Sequence, residues 1–276
     1  MNEHLARSSL HYAVGTLFTR GPMIFWKRGR PAPKPHFVRD YESHVRNLIA
    51  AHPLEKAMAL AVGSADYDGM GSLLVQVLIA AGLQEGSTLV DLGCGSGRLS
   101  KALSSQFSKL DYLGTDVVQE LLDYARKQSS RTYKFRLHQD LSIPAEDDSV
   151  DMVCAFSVFT HLFHEETFHY LHDANRALRP GGCVVFSFLE CSRNWHVFQE
   201  MLRLDWPTIK PHLVMFIERP AIAEWALRTG LSLERYDFGP SIGQSVVMLR
   251  KPLKQSQIGE AEGPAKGIKA DRLSRS

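Results

Sequence analysis

From about residue 86 onward, short apolar runs alternate with stretches in which apolar residues recur every three or four positions. STLVDLG reads as a buried strand, GRLSKALSSQF as a helix, DYLGTDV as a strand, VQELLDYARKQS as a helix and YKFRLHQD as a strand. SVDMVCAFSV follows as a strand, EETFHYLHDANRAL as a helix, and CVVFSFLE as a strand after the turn RPGG. Strands and helices alternating at these lengths predict an α/β fold with a mostly parallel sheet covered on both faces. AIAEWALRTG then reads as a helix capped by Gly230, and LSLERYDF and QSVVMLRK are close enough to pair as a hairpin. Upstream, Tyr41, Val45, Leu48 and Ile49 recur at helical spacing, and a second helix runs through SLLVQVLIAAGL until Gly86.

The ends break this pattern. FWKRGRPAPKPH carries three prolines among Lys27, Arg28, Arg30 and Lys34, so residues 1–36 read as a flexible basic arm. The plain reading is a solvated leader; Phe25 and Trp26 beside those cations leave weak contact with a membrane surface or polyanion as the other. Residues 37–252 form the expected domain, with its core at about 60–250, and residues 253–276 read as a disordered tail.

With 276 residues, 44% of them hydrophobic, the chain can bury a sizeable core, and a net charge of +2 does not call for nucleic acid or an anionic membrane as partner. Cys94, Cys154, Cys183 and Cys191 form no CxxC pair and no zinc spacing, which fits reduced thiols in a cytoplasmic protein. YAVGTLF is too short for a signal peptide, and the longest apolar run, LLVQVLIAAGL, is too short to span a bilayer.

VDLGCGSGRLS is the first chemical signal. Gly93, Gly95 and Gly97 let the backbone turn sharply and admit a ligand beside the free amides of the next helix. That also describes a dinucleotide site, but Asp91 would tend to repel a pyrophosphate and would welcome a cation. Asp116, which follows Asp91 by 25 positions in LGTDV, ends the second strand, where a carboxylate can accept both hydroxyls of a ribose. Asp140 in HQDLS ends the third, where it could accept from an adenine amino group. One such acid could be a helix cap or a solvent-facing residue; three at successive strand exits form a site.

VDLGCGSG, the acid of GTD, DLSIPAEDDSVDMVCAFSVFTHL and ALRPGG together resemble the class I S-adenosylmethionine-dependent methyltransferases over roughly residues 60–250. The resemblance implies a Rossmann-like, doubly wound, seven-stranded sheet with an antiparallel last strand, N-terminal helices and a lid-like insertion. It implies S-adenosylmethionine as cofactor. Asp91, Gly93, Cys94, Gly95 and Gly97 would hold the methionine portion, Asp116 with Val117 the ribose, Asp140 with Leu141 the adenine, and Phe156 and Ser157 would lie along the methionine end. GSADYDGMG also resembles an entry segment that covers the cofactor, which would give Tyr67 or Met70 that role; a glycine-rich turn before a helix is the plain alternative.

Transfer of a methyl group from a sulfonium is an in-line displacement that needs a base only where the acceptor must lose a proton. His161, after the fourth strand, is the candidate base, with a packing or capping histidine as the alternative; Glu165 and Glu166 read as first-turn acids. The sequence has no NPPY-like segment and no Pro-Cys nucleophile after the fourth strand, and no acid cluster for a divalent metal, so no nucleic acid and no metal are expected. The acceptor is expected to be a small molecule, lipid or sugar, with O-methylation favoured over N- or C-methylation. Trp195, Phe198, Trp206 and Phe216 lie in a long segment before AIAEWALRTG and would either line an acceptor pocket or pack an extra helix. Two rivals stand: a noncatalytic binding module with the same fold, and an NAD-dependent oxidoreductase, which would call for GxGxxG.

Overall fold

The computed structural model describes residues 34–63, 66–203 and 213–254. Its centre is a seven-stranded sheet formed by β1 (Thr88–Leu92), β2 (Asp111–Asp116), β3 (Lys134–Leu137), β4 (Val150–Ala155), β5 (Leu178–Phe188), β6 (Ser232–Tyr236) and β7 (Ser245–Arg250), in the order β3-β2-β1-β4-β5-β7-β6. β1 to β5 pair in parallel; β7 runs antiparallel to β5 on one side and to β6 on the other. The order reverses at β1, so the crevice beyond the carboxyl ends of β1 and its neighbour β4 is where such a sheet takes ligands.

Alternation along the strands builds a core on each face. Val90 and Leu92 of β1, Val153 and Ala155 of β4 and Val184, Phe186 and Phe188 of β5 face one side, joined there by residues of α6 (His164–Ala177) and α8 (Arg219–Thr229). Leu89, Met152, Cys154, Cys183 and Val185 face the other, against α3 (Tyr67–Ala80) and α4 (Arg98–Gln106). Each large side chain so buried contributes about 1.5–3 kcal/mol relative to exposure. The expected capping by Gly230 is present at φ +75°, and the last two strands form the expected hairpin.

The elements differ from the sequence expectation in two places. RPGG lies inside β5: pairing passes from Val150–Leu178 to Met152–Cys183, so β5 advances five residues while β4 advances two, and the surplus is accommodated as a bulge. A further helix, α2 (Leu54–Ala61), stands between α1 (His36–Ala51) and α3. Val45 of α1 and Ala57, Met58 and Ala61 of α2 pack on Val118 and on Leu121 of α5 (Gln119–Gln128), which holds both helices over the carboxyl end of β2.

Of the segment expected to form a lid, α7 (Trp195–Arg203) forms with no buried residue, and Trp206 lies outside the described residues. Its approach is fixed by an ionic cluster. Buried Glu190, just after β5, accepts from Arg219 at 2.9 Å and from the Ser245 hydroxyl, and Arg219 also reaches Asp237 at 2.5 Å. Arg193 pairs with the same Asp237. Among the described residues no helix is long and apolar enough to cross a membrane.

Candidate active site

β1 ends at Leu92, and the chain reverses through Gly93, Gly95 and Gly97 at φ +68°, +58° and +89°. A side chain on Gly97 would meet the Cα of Ala125 at 2.7 Å, and one on Gly95 would meet Val62 at 2.5 Å, so the loop is seated between α5 and the turn after α2. Tyr67 supports the loop from outside: its hydroxyl donates to the Ser96 carbonyl at 2.8 Å. Met70 and Gly63 of the same segment line the cavity that the loop borders.

That cavity, of about 580 Å³, lies beyond the carboxyl ends of β1, β2 and β4. Its size is in the range of cofactor and small-molecule sites. Asp91, Gly93, Cys94, Gly95, Asp116, Val117, Phe156, Ser157 and His161 all line it, so residues far apart in sequence meet around one space. Gly97 caps α4 behind the loop and does not line the cavity.

The two buried acids are held differently. Asp116 accepts from the backbone N–H of Gly95 at 2.9 Å and of Val118 at 3.0 Å, bonds that tie the glycine loop to the tip of β2. Burial pushes its pKa up to about 6, against those amides and that of Val117, which favour the charged form. Asp91 is enclosed, 2% exposed, and accepts from the Tyr112 hydroxyl at 2.7 Å and from Cys154 Sγ at 3.5 Å. Its pKa also rises to about 6 through burial, with the charge of Asp116 adding to the rise and the Tyr112 and Cys154 bonds opposing it. Asp91 therefore braces β1 against β2 and β4 as well as bordering the ligand space.

Asp140 and Leu141 do not line the cavity. β3 ends at Leu137, and the chain turns so that Ser142 N–H donates to the Asp140 carbonyl, leaving Asp140 exposed. Buried His138 occupies the cavity wall instead, with Nε2 at 2.8 Å from the Ser142 carbonyl and its backbone N–H donating to the Asp116 carbonyl at 3.0 Å. The sequence signal for it was position: it is the first residue past β3, two before the acid.

His161 closes a single 3₁₀ turn, Phe159–His161, after β4. Its Nδ1 lies 2.7 Å from the Leu213 carbonyl, and its ring meets the edge of Tyr41 at 5.2 Å. Nδ1–H donating to a carbonyl leaves Nε2 as the basic nitrogen of the neutral ring. His164 is turned elsewhere, to the Phe216 carbonyl and the Trp225 ring, and Glu166 caps α6 through the Phe163 N–H, the first-turn role expected of it. Trp195, Phe198 and Phe216 pack on one another in sequence, with centroids at 5.0 and 5.6 Å, and none lines the cavity.

α1 supplies wall residues that the sequence reading did not assign to the site: Phe37, Tyr41 and His44. Burial and the nearby charge of Asp116 push the Tyr41 hydroxyl well above the usual range, and burial lowers the His44 pKa. Gln244, just before β7, also lines the cavity. Among the described residues no group of three or more His, Cys, Asp or Glu is placed to hold a metal.

Residues 89–182 match the family model described as a methyltransferase domain. An uncharacterized methyltransferase of Schizosaccharomyces pombe is 32% identical over 115 residues, 41% of this chain and 44% of that protein. The malonyl-[acyl-carrier protein] O-methyltransferase of Hahella chejuensis is 25% identical over 181 residues, 63% of each chain. Both matches thus span less than two thirds of the relative's length. Magnesium protoporphyrin IX methyltransferase from Synechocystis PCC 6803, solved with bound S-adenosylhomocysteine, shares the fold at a TM-score of 0.56 and 19% identity, over 77% of this chain and 96% of that one. Glycine loop, strand-tip acid, sheet order and matched domain together make this chain similar to the class I, Rossmann-like S-adenosylmethionine-dependent methyltransferases.

Proposed function

We propose that the chain methylates a small-molecule acceptor, at oxygen, with S-adenosylmethionine as donor. The observation that carries this reading is the shared cavity that brings the glycine loop, Asp116 and His161 together. The residues present fit the cofactor: Asp116 retains acceptor capacity for ribose hydroxyls beyond its bonds to backbone amides, the glycines of the positive-φ loop offer backbone without Cβ atoms, and the ionised acids suit a cationic donor. On this reading Asp91, Gly93, Cys94 and Gly95 hold the methionine portion, Val117 and Asp116 the ribose, and Phe156 and Ser157 flank the methyl-bearing end. His138 takes the place beside the purine that Asp140 and Leu141 were expected to fill.

When bound, the cofactor supplies an electrophilic methyl carbon. The chain's own work is to hold the acceptor in line with it in a dry site and to receive a proton. Nε2 of His161 would be the base that receives the acceptor hydroxyl's proton, and the cofactor, held by Asp116 and the glycine loop, would supply the methyl group to the acceptor oxygen. The O-methyltransferase name of the Hahella relative supports oxygen as the methylated atom.

Calorimetry tests the donor: S-adenosylhomocysteine should bind and NADH should not, and the reverse order would reject the assignment. His161→Ala tests the base. Turnover on an acceptor identified with labelled cofactor should fall about 10²-fold or more while S-adenosylhomocysteine affinity stays unchanged, and full activity would remove His161 from the chemistry.

A further inference from the structure

Ser157, at the tip of β4, has φ +57°, a left-handed conformation uncommon in non-glycine residues. Its backbone N–H donates to the hydroxyl of Ser187 on β5 at 2.7 Å. Ser187 is fully buried, and its own hydroxyl donates to Gln244 Oε1 at 2.6 Å. Because Ser187 Oγ already receives the Ser157 proton, its single hydrogen is directed to Gln244. The Gln244 carbonyl end is thereby fixed toward the sheet. Gln244 lines the cavity, and its Nε2 makes no hydrogen bond to the described residues. A half-buried amide with one end pinned presents its two N–H donors to whatever occupies the cavity.

The sheet order says which ligand that is. Asp116 ends β2, and Gln244 precedes β7, whose antiparallel course brings its start to the carboxyl edge of β1, β4 and β5. From β2 to β7 the sheet steps through β1, β4 and β5, four spacings of about 4.8 Å, or roughly 19 Å. With the ribose at Asp116 and the methionine portion on the β1 loop, the methyl group falls near β4, and Gln244 stands beyond it.

We propose that Gln244 is a specificity-determining residue that donates its amide N–H to an oxygen of the methyl acceptor, and that Ser187 is the positioning residue that sets its orientation. The acceptor therefore carries a hydrogen-bond-accepting oxygen, a carboxylate, carbonyl or phenolate, beside or at the methylated atom. This inference rests on the methyltransferase reading above. A site that aims a fixed donor at an oxygen discriminates strongly against an analogue lacking it, because the donor is then buried without a partner.

The test titrates the full chain, saturated with S-adenosylhomocysteine, with 4-hydroxybenzoate, octanoate and benzylamine. The oxygen-bearing probes should bind in preference to the amine. Gln244→Leu should weaken the favoured oxygen probe about tenfold, the loss of one well-placed hydrogen bond, and leave S-adenosylhomocysteine affinity unchanged. Ser187→Ala should weaken the same probe in the wild-type background and have no further effect in the Gln244→Leu background, a non-additivity that a merely structural serine would not give. Equal binding of oxygen probes by wild type and Gln244→Leu, preference for the amine, or a loss confined to S-adenosylhomocysteine would overturn the proposal. Failure of the wild type to bind S-adenosylhomocysteine would instead overturn the reading on which it rests.

Discussion

Asp116 does two jobs at one atom pair: it anchors the glycine loop through Gly95 and faces the ligand space. Asp116→Ala should weaken S-adenosylhomocysteine binding by about 1.5–3 kcal/mol, measured by calorimetry, if its carboxylate accepts charge-assisted bonds from the ribose. pH gives a second handle. Asp91 and Asp116 both titrate near 6 in the folded chain because burial disfavours their charge, so the unliganded protein is stabilised by them below their ordinary range and loses that stabilisation as pH rises through about 6. A cationic donor binds the ionised form, so affinity for S-adenosylmethionine should rise between about pH 5 and 7 while the unliganded melting temperature falls; a flat affinity profile would place the acids outside the titrating set. Both residues could be placed from the sequence because Asp91 lies one residue before the end of β1 and Asp116 ends β2. Asp140 lies off the cavity because β3 is a short edge strand that stops at Leu137, and the turn that follows leaves His138 on the cavity wall and Asp140 exposed.

Among the elements, the loop between β1 and α4 is the most constrained. Gly97→Ala would put a methyl group on the Ala125 backbone and force a left-handed non-glycine residue, so urea unfolding should show a loss of about 2–4 kcal/mol. Strands, helices and their order could be read from periodicity because each long element keeps one period throughout. α2 could not: it is eight residues long, starts directly after Pro53, and takes its place from packing on α5 rather than from a long apolar stripe. RPGG differs for a related reason, since four residues that commonly turn are carried within β5 as a bulge between paired residues, held by backbone bonds of Gly181 and Gly182 to Lys251 that local sequence does not encode.

In the molecule as a whole, the site draws on both ends of the described chain, with residues of α1 and Gln244 in its walls. Those walls were not legible because nothing in a local window tells which distant segment will cover a strand tip. The Glu190–Arg219–Asp237 cluster joins the end of β5 to α8 and the β6–β7 hairpin, and its two sides should respond unequally. Arg219→Ala leaves buried Glu190 without a cation and should cost about 3 kcal/mol of unfolding free energy; Glu190→Ala leaves the half-exposed Arg219 on Asp237 and should cost about 1 kcal/mol, and equal losses would mean the cluster is screened by solvent. The insertion of β7 between β5 and β6 also settles which strands stand outermost. β3 offers exposed Lys134 and Arg136 at one margin, β6 exposed Glu234 and Arg235 at the other. A second copy attempting to add its own strand to either rim would have to strip water from those charges, so the sheet resists growing sideways into aggregates.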